Sequence, residues 1–273
     1  MKPAAFGYHR PRDLAEALSL MGELGEDARW LAGGQSLVPL LNLRLASPSH
    51  LVDISRLAPL AQVEFASDAV NVGAACTMAA LERERRLSAH HPLLAAALPH
   101  VGHFQIRNRA TVGGSLCHLD AAAELPAIAL LTGARMEIQS RAGSRSLVMD
   151  DFWVGPMESA LRAGELVTSV RFPWLQGCGW GFGEVARRQG DFALVGAAAQ
   201  VTPQGQGRVV VFGAGARAQV FEAPAGLTAG EFESQLEARL NAGDDIHASA
   251  AYRRRVGSRL ARRILEEARG RAV

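Results

Sequence analysis

Two short stretches decide how this chain is interpreted: TVGGSLCHLDAAAELP (residues 111–126) and LAGGQSLVPLL (residues 31–41). Each has a Gly-Gly pair, then a small polar residue, then a segment that can begin a helix. Glycine reaches positive φ and lets backbone N–H groups approach a ligand, and successive N–H groups form a concave anion site. A following helix adds its dipole. Two such sites match the two phosphates of a diphosphate, so we expect a dinucleotide held by main-chain donors.

The glycine pairs also fit a simpler interpretation, in which they only turn the chain. The spacing of the glycines excludes two familiar nucleotide sites. No G-x-G-x-x-G follows a first strand, and no G-x-x-x-x-G-K-[ST] is present, so neither a Rossmann site nor a P-loop is expected.

Composition narrows the class of protein. The chain has 273 residues, of which 48% are hydrophobic and 21% charged, with a net charge of +2. These values are typical of a globular protein and argue against a nucleic-acid or anionic-membrane partner. The cysteines Cys76, Cys117 and Cys178 are widely spaced, too few for an iron–sulfur cluster and typical of a reducing compartment. Without an apolar span or a signal-peptide core, the protein is predicted to be cytoplasmic.

Hydrophobic periodicity predicts alternating helices and strands in the first two thirds of the chain, including a helix with Asp13 as its N-cap. The stretch WLQGCGWGFG (residues 174–183) is rich in glycine, which predicts a linker rather than a strand. We therefore predict two domains, residues 1–175 and 176–273. The last helix carries an apolar stripe among many arginines, which predicts a solvated helix or a subunit contact.

Four motifs resemble a known family: LAGGQSLVPLLNLRL (31–45), QIRNRATVGGSLCHLDAAAELPA (105–127), RRQGDFALVGAAA (187–199) and SAAYRRRVGSRLARR (249–263). Together, and in this order, they resemble the FAD-binding (medium) subunit of molybdenum hydroxylases of the carbon monoxide dehydrogenase and xanthine dehydrogenase type. The resemblance implies an α+β fold. Residues 1–175 would form a two-part FAD-binding domain of the vanillyl-alcohol-oxidase (PCMH) type, and the rest a small C-terminal domain with an antiparallel sheet and helices.

The resemblance also implies a set of cofactor-binding residues. Both glycine loops would bind the FAD diphosphate, Asp120 and Glu124 would lie near ribose and ribityl hydroxyls, and Val167 near the flavin ring. His118, three residues after Ser115, is either a cofactor contact or a structural residue. The full predicted set is Ala32, Gly33, Gly34, Gln35, Ser36, Leu37, Thr111, Val112, Gly113, Gly114, Ser115, His118, Asp120, Glu124 and Val167.

No catalytic triad, nucleophile elbow, carboxylate pair or metal-ligand spacing is visible in the sequence. We therefore predict no catalytic or metal-binding residue and assign the chemistry to the cofactor. The resemblance implies a small subunit with two [2Fe–2S] clusters and a large molybdopterin subunit as partners, in a dimer of heterotrimers. This chain would pass electrons to NAD, a quinone, a cytochrome or oxygen. A stand-alone flavin oxidoreductase and a nucleotide-binding assembly or regulatory protein remain alternatives.

Overall fold

The N-terminal part of the chain is a small parallel sheet with two helices. The computed structural model describes residues 1–273. Strand order is β1-β3-β2, and both pairings are parallel. Asp13 caps the first helix by accepting a hydrogen bond from the Glu16 N–H at 2.9 Å, which confirms the predicted N-cap. The elements are β1 (Gly7–His9), α1 (Leu14–Leu24), β2 (Ala28–Leu31), α2 (Leu37–Asn42) and β3 (His50–Asp53).

The second part is built on a five-stranded antiparallel sheet in the order β4-β5-β10-β6-β7. Strands β8 and β9 form a separate two-stranded ladder. The elements are β4 (Val63–Phe65), β5 (Ala69–Gly73), α3 (Met78–Glu82), α4 (Leu87–His90), α5 (Pro92–Ala97), α6 (Phe104–Arg107), α7 (Val112–His118), α8 (Glu124–Thr132), β6 (Arg135–Ser140), β7 (Gly143–Val148), α9 (Met149–Phe152), β8 (Trp153–Gly155), β9 (Glu158–Ser159) and β10 (Leu166–Pro173).

Helix α8 joins this part to the C-terminal part. Its first eight residues are all buried, and the helix packs against β10 on one side and against strands of the C-terminal sheet on the other. A helix that is apolar all round belongs in a core between layers. The main hydrophobic core accordingly includes residues from both parts, among them Ile128, Val170, Ala198 and Phe212.

The C-terminal part is an antiparallel meander with two helices, and here the predicted linker is wrong. The strand order is β11-β12-β13-β14. Residues 179–183 of the glycine-rich stretch lie in the first strand, paired along its length with β12. The elements are β11 (Gly179–Val185), β12 (Val195–Val201), β13 (Gly207–Phe212), β14 (Gln219–Ala223), α10 (Ala229–Arg239) and α11 (Ala250–Arg271).

The glycines of β11 are needed because α11 packs directly on that strand. A Cβ at Gly179 would lie 1.8 Å from the Ala268 carbonyl oxygen, and one at Gly181 would lie 2.6 Å from that of Ile264. Alternate glycines therefore clear one face of the strand for a helix backbone. The apolar stripe of α11 packs on this sheet, where Ile264 and Ala268 are fully buried, and the arginines Arg259 and Arg263 on its other face are more than 60% exposed.

None of the helices combines the length and the apolar character needed to span a bilayer.

Candidate cofactor site

A cavity of about 570 Å³ lies where the three parts of the chain meet. This volume falls within the roughly 300–1,000 Å³ of ligand pockets in proteins. Most of the cavity lining comes from residues within 29–37 of the N-terminal part, within 101–124 and 161–167 of the second part, and from residues 190–192 of the C-terminal part. The lining is largely apolar with a few polar groups.

The cavity brings together all of the predicted site residues except Val112. That side chain is fully buried, and it packs in the main hydrophobic core. The predicted residues that line the cavity are Ala32, Gly33, Gly34, Gln35, Ser36, Leu37, Thr111, Gly113, Gly114, Ser115, His118, Asp120, Glu124 and Val167.

The first glycine loop presents a row of free backbone donors. It leaves β2 at Leu31 and enters α2 at Leu37, with Gly34 in the left-handed region at φ 74°. The N–H groups of residues 33–37 donate no hydrogen bond within the chain. Ser36 stands at the N-cap without using its side chain there, so its hydroxyl is also free. A concave run of free N–H groups at a helix start suits an oxyanion.

The second glycine pair differs from the expected turn. Gly113 and Gly114 lie inside the first turn of α7, which Thr111 caps by accepting from the Gly114 N–H at 3.1 Å. The N–H groups of Val112 and Gly113 donate to the carbonyls of Cys76 and Ala74, each at 2.9 Å. The prediction of a second row of free amides is therefore wrong. This segment offers the cavity hydroxyl groups and a helix N-terminus instead.

Two of the glycines are present because backbones approach closely. A Cβ at Gly33 would lie 2.1 Å from the Arg109 carbonyl oxygen, and one at Gly113 would lie 2.5 Å from the Ala74 Cβ. The first contact packs the loop against the segment that leads into α7, and the second packs α7 against the residue that follows β5. Gly33 and Gly113 thus allow the close packing around the cavity, whereas Gly34 supplies the left-handed backbone conformation of the loop with the free N–H groups.

Acidic groups line another stretch of the cavity, near an apolar wall. Asp120 accepts a hydrogen bond from the Ala122 N–H at 2.8 Å. Glu124, the first residue of α8, is only 3% exposed, and burial raises its pKa from 4.5 to about 7, with Glu184 adding to the rise. Val167 and Leu161 contribute apolar surface. The carboxyl group of Glu124 is thus close to half-protonated at neutral pH.

Cys117 is a small apolar group of the cavity wall. Burial raises the pKa of its thiol to about 12, so it is protonated at neutral pH and a poor nucleophile.

Sequence reasoning missed several residues of the cavity. Trp30, Met78 and Ile106 are apolar residues of ordinary helices and strands, and nothing in the sequence sets them apart. Phe192, 62% exposed, reaches the cavity from the C-terminal part. The sequence signal beside Phe192 is Gly190. The structure requires glycine there, because φ is 84° and a Cβ would lie 2.5 Å from the His103 ring.

Comparison with known proteins agrees with this geometry. Residues 4–175 match the family described as the FAD-binding domain in molybdopterin dehydrogenase. The chain belongs to this family. It is an FAD-binding subunit of the molybdenum hydroxylase type, and the resemblance seen in the sequence and the α+β fold it implied are confirmed.

Full-length relatives extend the match to the C-terminal part. The chain is 38% identical to the 6-hydroxypseudooxynicotine dehydrogenase complex subunit alpha of Paenarthrobacter nicotinovorans, over all of this chain and 97% of that one. Carbon monoxide dehydrogenase from Hydrogenophaga pseudoflava superposes with a TM-score of 0.93 at 28% identity. Quinoline 2-oxidoreductase from Pseudomonas putida 86 superposes with 0.92 at 34% identity. Both structural matches cover the whole of both chains.

The cavity fits the cofactor of this family. FAD is long and amphipathic, with a diphosphate between two ring systems, and the cavity combines free amide donors with apolar walls. The chain is thus an oxidoreductase flavoprotein subunit whose cofactor is FAD.

Substitution of Glu124 by glutamine is expected to stabilise the cofactor-free protein at alkaline pH. The folded state holds the Glu124 proton more tightly than the unfolded state, because burial raises the carboxyl pKa from 4.5 to about 7. The contribution of Glu124 to the free energy of unfolding is therefore complete below pH 4.5 and is lost as the pH rises to about 7. At about 1.36 kcal/mol for each step of one in pKa, the loss is about 3 kcal/mol. Urea unfolding should therefore favour Glu124→Gln by up to about 3 kcal/mol near pH 8 and show no difference near pH 4.5. Equal stabilities at both pH values would contradict this.

Proposed function

We propose that this subunit carries electrons from the [2Fe–2S] clusters of a small partner subunit to an external acceptor. The observation that carries the proposal is the row of free amides at residues 33–37, which opens into a cavity with an apolar wall and a buried carboxyl group. The relative from Paenarthrobacter nicotinovorans is named as a subunit of a dehydrogenase complex. This name supports a reaction carried out together with partner subunits rather than by this chain alone.

The chain would hold the FAD diphosphate mainly through its first loop. Residues 33–37 and the Ser36 hydroxyl supply donors, and Ser115 and the start of α7 face them across the cavity. We assign Asp120 and Glu124 to the ribose and ribityl hydroxyls, where carboxylates accept hydrogen bonds. His118 stays a candidate contact, since it lines the cavity.

A bound flavin supplies a carrier that accepts and returns electrons. The chain's own contribution is to bind and to shield it. Val167, Leu161 and Leu166 exclude water from one wall, which strengthens electrostatic interactions inside the cavity. Phe192 is exposed and adds an aromatic ring to the cavity lining from the C-terminal part.

Substrate hydroxylation is assigned to a large molybdopterin subunit, and the complex to a dimer of heterotrimers. The acceptor would be NAD, a quinone, a cytochrome or oxygen. Residues 1–175 would serve as the FAD-binding domain and 176–273 as the C-terminal domain. All three cysteines are unpaired, as a reducing compartment favours, and we place the complex in the cytoplasm.

Anaerobic spectroscopy tests this proposal. The purified subunit should bind FAD, and a substrate of the complex should bleach the flavin absorption only when both partner subunits are present. The subunit with FAD but without partners is the control, and it should stay oxidised after substrate is added.

Two outcomes would contradict the assignment. Bleaching by substrate in the isolated subunit would indicate a stand-alone flavin oxidoreductase. Bound FAD that stays oxidised in the complete complex would indicate an assembly or regulatory role.

A further inference from the structure

A hydrogen-bonded His100–Glu184 pair lies near the buried Glu124 of the cavity. The His100 Nδ1 lies 3.0 Å from the Glu184 Oε1, joining a short 3-10 turn of the second part to β11 of the C-terminal part. The Glu184 side chain is 6% exposed and that of His100 40%. Glu124, almost fully buried, lies near this pair and lines the cavity. The cluster therefore has one member facing the cavity and one facing solvent.

The second oxygen of Glu184 has no partner. Its Oε2 is buried and makes no hydrogen bond within the chain. A buried carboxylate oxygen without a donor is costly, whereas the same oxygen carrying a proton is not charged. The orphaned atom therefore leaves an open hydrogen-bonding position beside His100.

The cluster of Glu124, Glu184 and His100 carries more negative than positive charge when both carboxyl groups are ionised. Two buried carboxyl groups face one imidazole, which can neutralise only one of them. The positive charge of His100 lowers the pKa of Glu124, whereas Glu184 and Asp120 raise it. The pKa of His100 is raised, chiefly by its hydrogen bond to Glu184, and that of Glu124 is raised by burial to about 7.

Three titratable groups on the packed elements are already paired or neutral. Arg107 is paired with Glu82, and Arg208 with Glu222. His91 is neutral because burial lowers its pKa to about 4. The full set of titratable groups around α8 and His100 is Glu82, His91, Arg107, Cys117, His118, Asp120, Asp150, Asp151, Arg171 and Arg208.

We propose that Glu124, His100 and Glu184 form a proton-holding site that exchanges a proton between the cofactor cavity and solvent. Reduction of a flavin by an iron–sulfur donor takes up electrons and at least one proton. With the cofactor bound, Glu124 would supply a proton to the cavity as its O–H bond breaks, and the His100–Glu184 pair would restore that proton with one that His100 takes up from solvent. Only the destination of the proton, the bound flavin, rests on the proposed function.

Infrared titration of the cofactor-free full-length chain tests the site itself. The carbonyl stretch of a protonated carboxyl group is followed from about pH 5 to about pH 9, which spans ordinary and raised carboxyl values. Wild type should show a transition near neutrality, and Glu124→Gln should lose it. His100→Gln should move the transition to higher pH, because it removes a positive charge that lowers the pKa of Glu124. Glu184→Gln should lower the pH at which the His100 imidazole titrates in NMR spectra.

Glu222→Gln is the matched control, since Glu222 is an exposed carboxyl paired with Arg208 on the C-terminal sheet; it should leave both titrations unchanged. Absence of the neutral transition in wild type, or a His100→Gln variant that does not raise it, would overturn the proposal. Because these titrations contain no flavin, such a failure is distinct from a failure of the proposed electron transfer.

A second measurement connects the site to the cofactor. FAD brings a negatively charged diphosphate and excludes water, so its binding should draw a proton onto Glu124 at mildly alkaline pH. Calorimetry in two buffers of different ionisation enthalpy should show proton uptake by wild type and its loss in Glu124→Gln. Equal uptake by both proteins would place the proton elsewhere and contradict the proposed exchange.

Discussion

Replacement of Gly34 by valine is expected to weaken FAD binding by about a thousandfold. Gly34 has φ 74°, where a branched side chain costs about 1–3 kcal/mol. The added Cβ would also lie 3.2 Å from Val38 Cγ2, so the loop must shift. Its free amides are proposed donors to a charged group, each worth about 1.5–3 kcal/mol. Loss of one such bond plus the strain amounts to roughly 2.5–6 kcal/mol, and its midpoint of about 4 kcal/mol corresponds to about three factors of ten in affinity.

The measurement is a fluorescence titration of FAD into the cofactor-free chain, supported by the flavin-to-protein ratio after purification. Gly226→Val is the matched control. Gly226 has φ 87° and open space around its Cβ position, so it imposes the same backbone strain far from the cavity. Tight FAD binding by Gly34→Val, or equal loss in the control, would show that the first loop does not hold the diphosphate.

Gly33 would be a poorer probe, because its substitution disturbs folding as well as binding. The carbonyl of Arg109 occupies the space that a Cβ would need, at 2.1 Å. The sequence shows Gly33 and Gly34 as an identical pair, and only the structure separates the two roles. A backbone with positive φ and a close backbone contact both require glycine, so the sequence alone does not distinguish them.

Much of the fold could be predicted where local patterns decide it. The capping aspartate of α1, the short strand before the first glycine loop and the alternating strand β10 all follow from local spacing. The glycine-rich strand β11 could not be predicted this way. Its glycines are required by close contact with Ile264 and Ala268 of α11, which lie some 85 residues further along the chain. Local sequence rules instead interpret a run of glycines as a break between elements.

The candidate site shows the same division. Residues within the two glycine motifs could be predicted because the motif itself contains them. The partners of Glu124 could not: His100 and Glu184 come from a different turn and a different part of the chain. Ordinary residue types that meet only in the folded protein leave no pattern in the sequence.

Replacement of Gly179 by alanine is expected to destabilise the protein by about 3 kcal/mol or more, at the upper end of overpacking costs. A Cβ there would lie 1.8 Å from the Ala268 carbonyl oxygen and 2.5 Å from the Ala272 N–H nitrogen. Both are backbone atoms, so neither can rotate away. The helix α11 would have to move off the strand, and the buried Ile264 and Leu265 would lose contacts with the sheet.

Gly183→Ala is the control that separates this effect from glycine replacement as such. Gly183 lies on the same strand and faces the same helix, but its Cβ would meet side-chain ends, Ile264 Cδ1 at 3.1 Å and Leu260 Cδ1 at 3.4 Å. These can rotate, and alanine restricts the unfolded chain more than glycine, so the expected change is below about 1 kcal/mol. Thermal unfolding should therefore show a fall in Tm of several degrees for Gly179→Ala and little change for Gly183→Ala. Comparable losses at both positions would mean that the strand needs glycine for its own conformation, and that close packing of α11 is not the cause.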